Sequence, residues 1–245
     1  MFSVEHLHAE TNLKRGKNMK KRFSLIMMTG LLFGLTSPAF AAEKTEPKAE
    51  APASVAVLLD ASGSMAKRID GVSKFNSAKK EISKFASSLP ADTQVKMSVF
   101  GSEGNNKNSG KVQSCEAIRN VYGFQSFNEQ SFLNSLNTIG PTGWTPIAKA
   151  LNEAKSSFDQ LDAKGEKVVY LLTDGEETCG GNPIKTAREL HKDNITVNVI
   201  GFDYKEGYKG QLNAIAKVGG GEYFPAYTQK DVEKIFTQQS LMLSK

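Results

Sequence analysis

The feature that most constrains this chain is a recurring pairing of short strand-like apolar runs with segments whose apolar residues return every three or four positions. Residues 55–59 (VAVLL) and 168–172 (VVYLL) have no polar interruption, while 94–100 (QVKMSVF) and 195–202 (ITVNVIGF) are strand-like with β-branched residues. A strand that is apolar at every position needs cover on both faces. Between these runs, helical spacing is kept by Phe75, Ala78, Ile82, Phe85 and Leu89, by Phe132, Leu133, Leu136 and Ile139, and by Ile147, Ala150, Leu151, Ala154 and Phe158. Ile184, Ala187 and Leu190 follow Pro183 in the same way, Leu212, Ile215 and Ala216 mark another helix, a short strand is expected near 222–224, and Val232, Ile235 and Phe236 mark a last helix. This alternation predicts an α/β fold, a doubly wound and mainly parallel sheet with helices on both faces. No internal repeat or second linker interrupts it, so one domain is expected over 55–245.

The residues ahead of the domain read differently. Lys20, Lys21 and Arg22 precede an apolar run at 23–35, and Ser37-Pro38-Ala39-Phe40-Ala41 ends in a small-x-small pattern. That order is a secretory signal, with cleavage expected after Ala41 and a secreted mature chain. The run is too short to span a bilayer, and no membrane span is expected in the mature protein. Residues 1–18 are polar and fit poorly ahead of such a signal, which makes Met19 the expected start of translation. Residues 42–54 (AEKTEPKAEAPAS) read as a flexible linker.

The leader also explains the charge. Of 31 basic and 26 acidic residues, six and two lie in residues 1–41, so the formal +5 falls to +1 for the rest. Nucleic-acid binding thereby loses its compositional support. His6 and His8 lie in the leader too, which leaves His191 alone and excludes chemistry that needs two histidines. His191 reads as a partner for a helix C-terminus or as a solvated residue. Cys115 and Cys179 are the only cysteines. In an exported chain they are expected to pair, tying the loop after Asp174 to the segment ahead of Thr145.

The first apolar run leads straight into Asp60-Ala61-Ser62-Gly63-Ser64-Met65, and the run at 168–172 ends in Thr173-Asp174-Gly175. A carboxylate and two hydroxyls at alternate positions of a tight turn can aim their oxygens at one centre, with Gly63 expected to ease the bend. In an open doubly wound sheet, ligands sit beyond the carboxyl ends of strands where the winding reverses. Asp60 and Asp174 meet there if their strands are neighbours. A hard-cation site is the chemistry such oxygens suit.

With those residues in order, the chain resembles the von Willebrand factor A domain family, specifically secreted bacterial members that carry the stretch Thr-Asp-Gly-Glu-Glu-Thr-Cys-Gly-Gly found here at 173–181. The resemblance implies a metal-ion-dependent adhesion site built from Asp60, Ser62, Ser64, a threonine and Asp174. Two threonines are available in Pro141-Thr142-Gly143-Trp144-Thr145-Pro146-Ile147. Thr145 is preferred, because Pro146 suits the first position of a helix and Thr145 would be its N-cap. The resemblance implies Mg²⁺, with Mn²⁺ or Ca²⁺ as substitutes, and a protein or other partner whose carboxylate completes the metal's shell. Trp144 reads equally as part of a ligand rim or as packing beneath the loop. Glu176 and Glu177 read as rim residues or as ordinary solvated acids.

A non-enzymatic binding module is therefore expected, with an accessory subunit of a larger envelope complex as the alternative. A hydrolase fits less well. No G-x-S-x-G is present, His191 has no evident route to Ser62 or Ser64, and a phosphoryl-transfer nucleophile at Asp60 would want a second acid where Ser62 stands.

Overall fold

The computed structural model describes residues 51–244. The expected signal, its cleavage point, the Met19 start and most of the 42–54 linker lie outside the described residues. In chain order the elements are β1 (Ser54–Asp60), a small hairpin of β2 (Arg68–Ile69) and β3 (Val72–Ser73), α1 (Lys74–Ser88), β4 (Gln94–Phe100), α2 (Lys111–Glu116), β5 (Ile118–Ser126), α3 (Glu129–Leu136), α4 (Ile147–Asp159), β6 (Lys167–Thr173), α5 (Pro183–Lys192), β7 (Ile195–Phe202), α6 (Lys209–Val218), β8 (Gly220–Ala226) and α7 (Gln229–Leu243).

The main sheet runs β5-β4-β1-β6-β7-β8, parallel throughout except for β5, which pairs antiparallel with β4. The expected α/β architecture is what forms. Its cause is visible in β1, where Val55, Val57 and Leu59 pack with Phe75, Phe85, Phe132 and Phe236 from α1, α3 and α7. Ala56 and Leu58 face the other way, into a cluster with Leu151, Phe158, Leu190 and Leu212 from α4, α5 and α6. Both faces are covered, so the strand is apolar at every position between Ser54 and Asp60 at its two ends.

Three features were not expected from the sequence, the short helix α2 being one. In β5 only Tyr122 is buried, Gly123 interrupts the pattern, and the pairing with β4 has register irregularities, so an edge strand forms where no apolar run announces one. The β2–β3 hairpin turns on Asp70 and Gly71, both at positive φ (50° and 85°), the backbone that a two-residue Asp-Gly turn requires. The connectivity then fixes where a site can be. The chain leaves β1 for β4 on one side and returns to β6 on the other, so the carboxyl ends of β1 and β6 flank the point where the winding reverses.

Candidate metal centre

Leu59 pairs with Leu172, so Asp60 and Thr173 emerge side by side at the ends of β1 and β6. Asp60 is fully buried. Its Oδ1 accepts the Ser62 N–H at 2.6 Å and its Oδ2 accepts the Thr173 hydroxyl at 2.6 Å. Burial, with the Asp174 charge adding to it, pushes the Asp60 carboxyl up to about 7, against the lowering effect of those hydrogen bonds. Beyond Asp60 the turn brings Ser62 Oγ to 3.1 Å from Ser64 Oγ, and Ser64 Oγ donates to Asp174 Oδ1 at 2.7 Å.

The turn is held against its neighbours by backbone. Ser62 and Gly143 form an isolated parallel bridge, and the Gly63 N–H donates to Gly143 O at 2.9 Å. Gly63 itself is not among the positive-φ residues, which corrects the expectation that it supplies the bend; its smallness instead admits Asn106, whose Cβ would be 3.2 Å from an added Cβ. The glycine the turn needs is Gly101 at φ 75°, where a Cβ would stand 2.5 Å from Trp144 O and 2.9 Å from Ser62 N.

Thr145 reaches the same place from the segment ahead of α4. Thr145 is buried whereas Thr142 is exposed. The expected cap is not what forms: α4 begins at Ile147, Pro146 takes the cap position without a side-chain bond, and the helix N-terminus is met instead by Glu177 Oε2, which accepts the Ala148 N–H at 2.8 Å. An anion there complements the helix dipole. The Thr145 hydroxyl is left to face Gly175. Its backbone is fixed by two side chains the sequence did not single out. Ser114 Oγ accepts the Trp144 N–H at 2.6 Å, and Thr178 Oγ1 accepts the Thr145 N–H at 2.8 Å. Each precedes a cysteine, and Cys115 and Cys179 are joined, with Cα atoms 5.5 Å apart.

The other expected rim residues divide. Trp144 is half-buried, donates from Nε1 to Lys107 O at 3.2 Å, and carries the Lys111 ammonium 4.1 Å from its ring centroid, so it forms a fixed wall beside Ser62 and Ser64. Glu176 lines a cleft of about 320 Å³ that Ser64, Thr145 and Asp174 also line. Glu177 is turned inward, since besides capping α4 its Oε1 accepts the Cys179 N–H at 2.7 Å. His191 lies in the last turn of α5, as expected.

Sequence reading missed Lys74 altogether. Its ammonium is in ion-pair contact with Asp174 Oδ2 and lies 3.5 Å from Asp203 Oδ2, although Lys74 is only 3% exposed. A signal existed: Lys74 is the first residue of α1, behind the Ser73 cap, where the helix dipole disfavours a cation.

The oxygens suit a small hard cation. Six ligands at about 2.1 Å around Mg²⁺ put adjacent oxygens about 3 Å apart, which is the spacing of the Ser62–Ser64 and Ser64–Asp174 pairs. Among the described residues no three His, Cys, Asp or Glu side chains gather, and the oxygens here come from two carboxylates with hydroxyls between them. Among the described residues Ser62 and Ser64 hydrogen-bond each other and Asp174, and neither bonds a histidine.

The sequence model of the von Willebrand factor type A domain matches residues 54–239. YwmC of Bacillus subtilis (strain 168) is 96% identical over 227 residues, 93% of this chain and all of that one. Among solved structures, the pilus adhesin SpaC from Lactobacillus rhamnosus GG aligns with TM-score 0.66 at 16% identity, over 81% of this chain and 31% of that one. Proximal thread matrix protein 1 from the mussel byssus, with zinc in its MIDAS motif, aligns with TM-score 0.58 at 20% identity, over 79% of this chain and 46% of that one.

Proposed function

This chain belongs to the von Willebrand factor type A domain family, and from that premise we propose that it is a secreted, metal-dependent binding module of the adhesion type. Asp60, Ser62, Ser64, Thr145 and Asp174 hold Mg²⁺, or Mn²⁺ or Ca²⁺ in its place, and a carboxylate of a protein or other partner completes the shell. The observation that carries this reading is the convergence of the Ser62, Ser64 and Asp174 oxygens above a buried Asp60. The fold is one that a pilus adhesin and a byssal protein with a zinc-bearing MIDAS motif also adopt, which supports a binding role.

When bound, the metal supplies an electrophilic centre for the partner's oxygen. The chain's own residues do the rest. Ser62 and Ser64 offer neutral oxygens, Asp60 and Asp174 anchor the charge, and Thr145 offers its hydroxyl from the segment ahead of α4. No helix among the described residues is long and apolar enough to cross a membrane. The test is calorimetric titration of residues 42–245 with Mg²⁺ and Mn²⁺. Wild type is expected to bind and Asp60→Ala to give no heat; equal binding by both would refute the site.

A further inference from the structure

Lys74 stands where a cation is costly, at the N-terminus of a helix and out of water. Asp174 and Asp203 offset that cost, and the Asp203 carbonyl also accepts from the ammonium at 3.4 Å. Asp203 is in turn paired with the more exposed Lys67 at 2.7 Å. Asp174 therefore divides its oxygens, Oδ1 towards Ser64 and Oδ2 towards Lys74.

We propose that Lys74 makes metal binding depend on the partner, by cancelling one of the two carboxylate charges that would otherwise neutralise a divalent cation. The inference rests on the metal-binding reading above. Asp60 and Asp174 bring two negative charges, Lys74 removes one, and Lys67 pairs off Asp203. A divalent ion on this set keeps a net charge of about +1 in surroundings where charges interact more strongly than in water. An anionic partner group brings the centre to neutrality, so metal and partner anion strengthen each other's binding to the same degree. Without Lys74 the two carboxylates alone neutralise the ion, and a partner anion gains little.

The experiment is Mn²⁺ affinity, read from the electron paramagnetic resonance of free Mn²⁺, with and without acetate as the carboxylate probe. Wild type is expected to bind Mn²⁺ weakly alone and more tightly with acetate. Lys74→Met should bind Mn²⁺ alone tighter by about tenfold or more and lose the acetate enhancement. Asp203→Asn, which leaves Lys67 uncompensated, should bind Mn²⁺ severalfold more weakly than wild type. Folded Lys74→Met with wild-type affinity, or with the acetate enhancement intact, overturns the proposal. If Lys74→Met does not fold, Asp203→Asn binding as tightly as wild type overturns it. A wild type that takes up no Mn²⁺ with or without acetate removes the metal-binding reading itself, whatever the variants do.

Discussion

Asp60, Ser62, Ser64 and Asp174 grow out of the ends of two adjacent buried strands, whereas Thr145 is carried on a segment held by side chains far away in sequence. On the first side the β1–β6 register sets the spacing, and a buried ion pair of Lys74 with Asp174 braces it. On the second side, the hydroxyls of Ser114 and Thr178, each next to a cysteine of the disulfide, accept the N–H groups of Trp144 and Thr145 and fix that backbone. The difference teaches that one half of the oxygen cluster is a product of the sheet, while the other is set by a clamp that can be loosened without disturbing the sheet.

The largest effect is expected on the strand side. Asp174→Ala should abolish Mn²⁺ binding and destabilise the domain by about 3 kcal/mol, because it leaves the buried Lys74 ammonium with the more distant Asp203 alone. Asp60→Asn should lose the metal while keeping the fold. Calorimetry and denaturant unfolding separate the two, and an Asp174→Ala domain as stable as wild type would show that the ion pair does not brace this side.

Removing the clamp comes next. Replacing both cysteines by Ala opens a 64-residue closure, a cost on the order of 4 kcal/mol in the chain-entropy account. Amide hydrogen exchange should then speed up at Trp144 and Thr145 and stay slow at Ser62. Equal loss of protection at all three would merge the two halves into one unit.

The response to pH sharpens the strand side further. With Asp60 pushed up to about 7, Mn²⁺ affinity should fall about tenfold per pH unit below that value, and metal uptake should release a proton. For the metal-free domain the sign is opposite to that of an ordinary salt-bridged carboxylate. The folded value lies above the unfolded 3.8, so the Asp60 contribution to stability is fully present below about 4 and is lost as pH rises through about 7. Urea unfolding of wild type and Asp60→Asn across that range should show the loss in wild type alone, with Mn²⁺ restoring it.

The smallest effects lie at the start of α4. Glu177→Gln should cost about 1 kcal/mol through its weakened bond to the helix N-terminus. Thr145→Val should weaken Mn²⁺ binding severalfold with little loss of stability, since its hydroxyl caps nothing, and Thr142→Val should be silent. Thermal unfolding with and without Mn²⁺ reads both quantities, and a silent Thr145→Val beside a weakened Thr142→Val would reverse the choice of threonine.

Much of the fold was legible because β1 and β6 are covered on both faces, which writes them into the sequence as apolar runs. β5 was not legible, since an edge strand with one buried side chain leaves almost no pattern. Within the site, Asp60, Ser62, Ser64 and Asp174 could be picked out because they lie on the turns that leave such runs, in the order the family resemblance implies. Glu177 misled for the opposite reason. An acid beside an acid in a loop carries no mark of which helix end it will meet.

The sequence by itself determined the buried strands of the sheet, the order of the oxygens along the chain and the pair of cysteines, because apolar runs and turn chemistry are written in near neighbours. Only the tertiary structure decided that Lys74 would be sealed against Asp174, 100 residues on, that Glu177 and not Thr145 would meet α4, and that Ser114 and Thr178 would hold the threonine loop. The physical reason is that a charge or hydrogen bond taken out of water must be satisfied by whatever the fold brings beside it, and that partner has no fixed spacing along the chain.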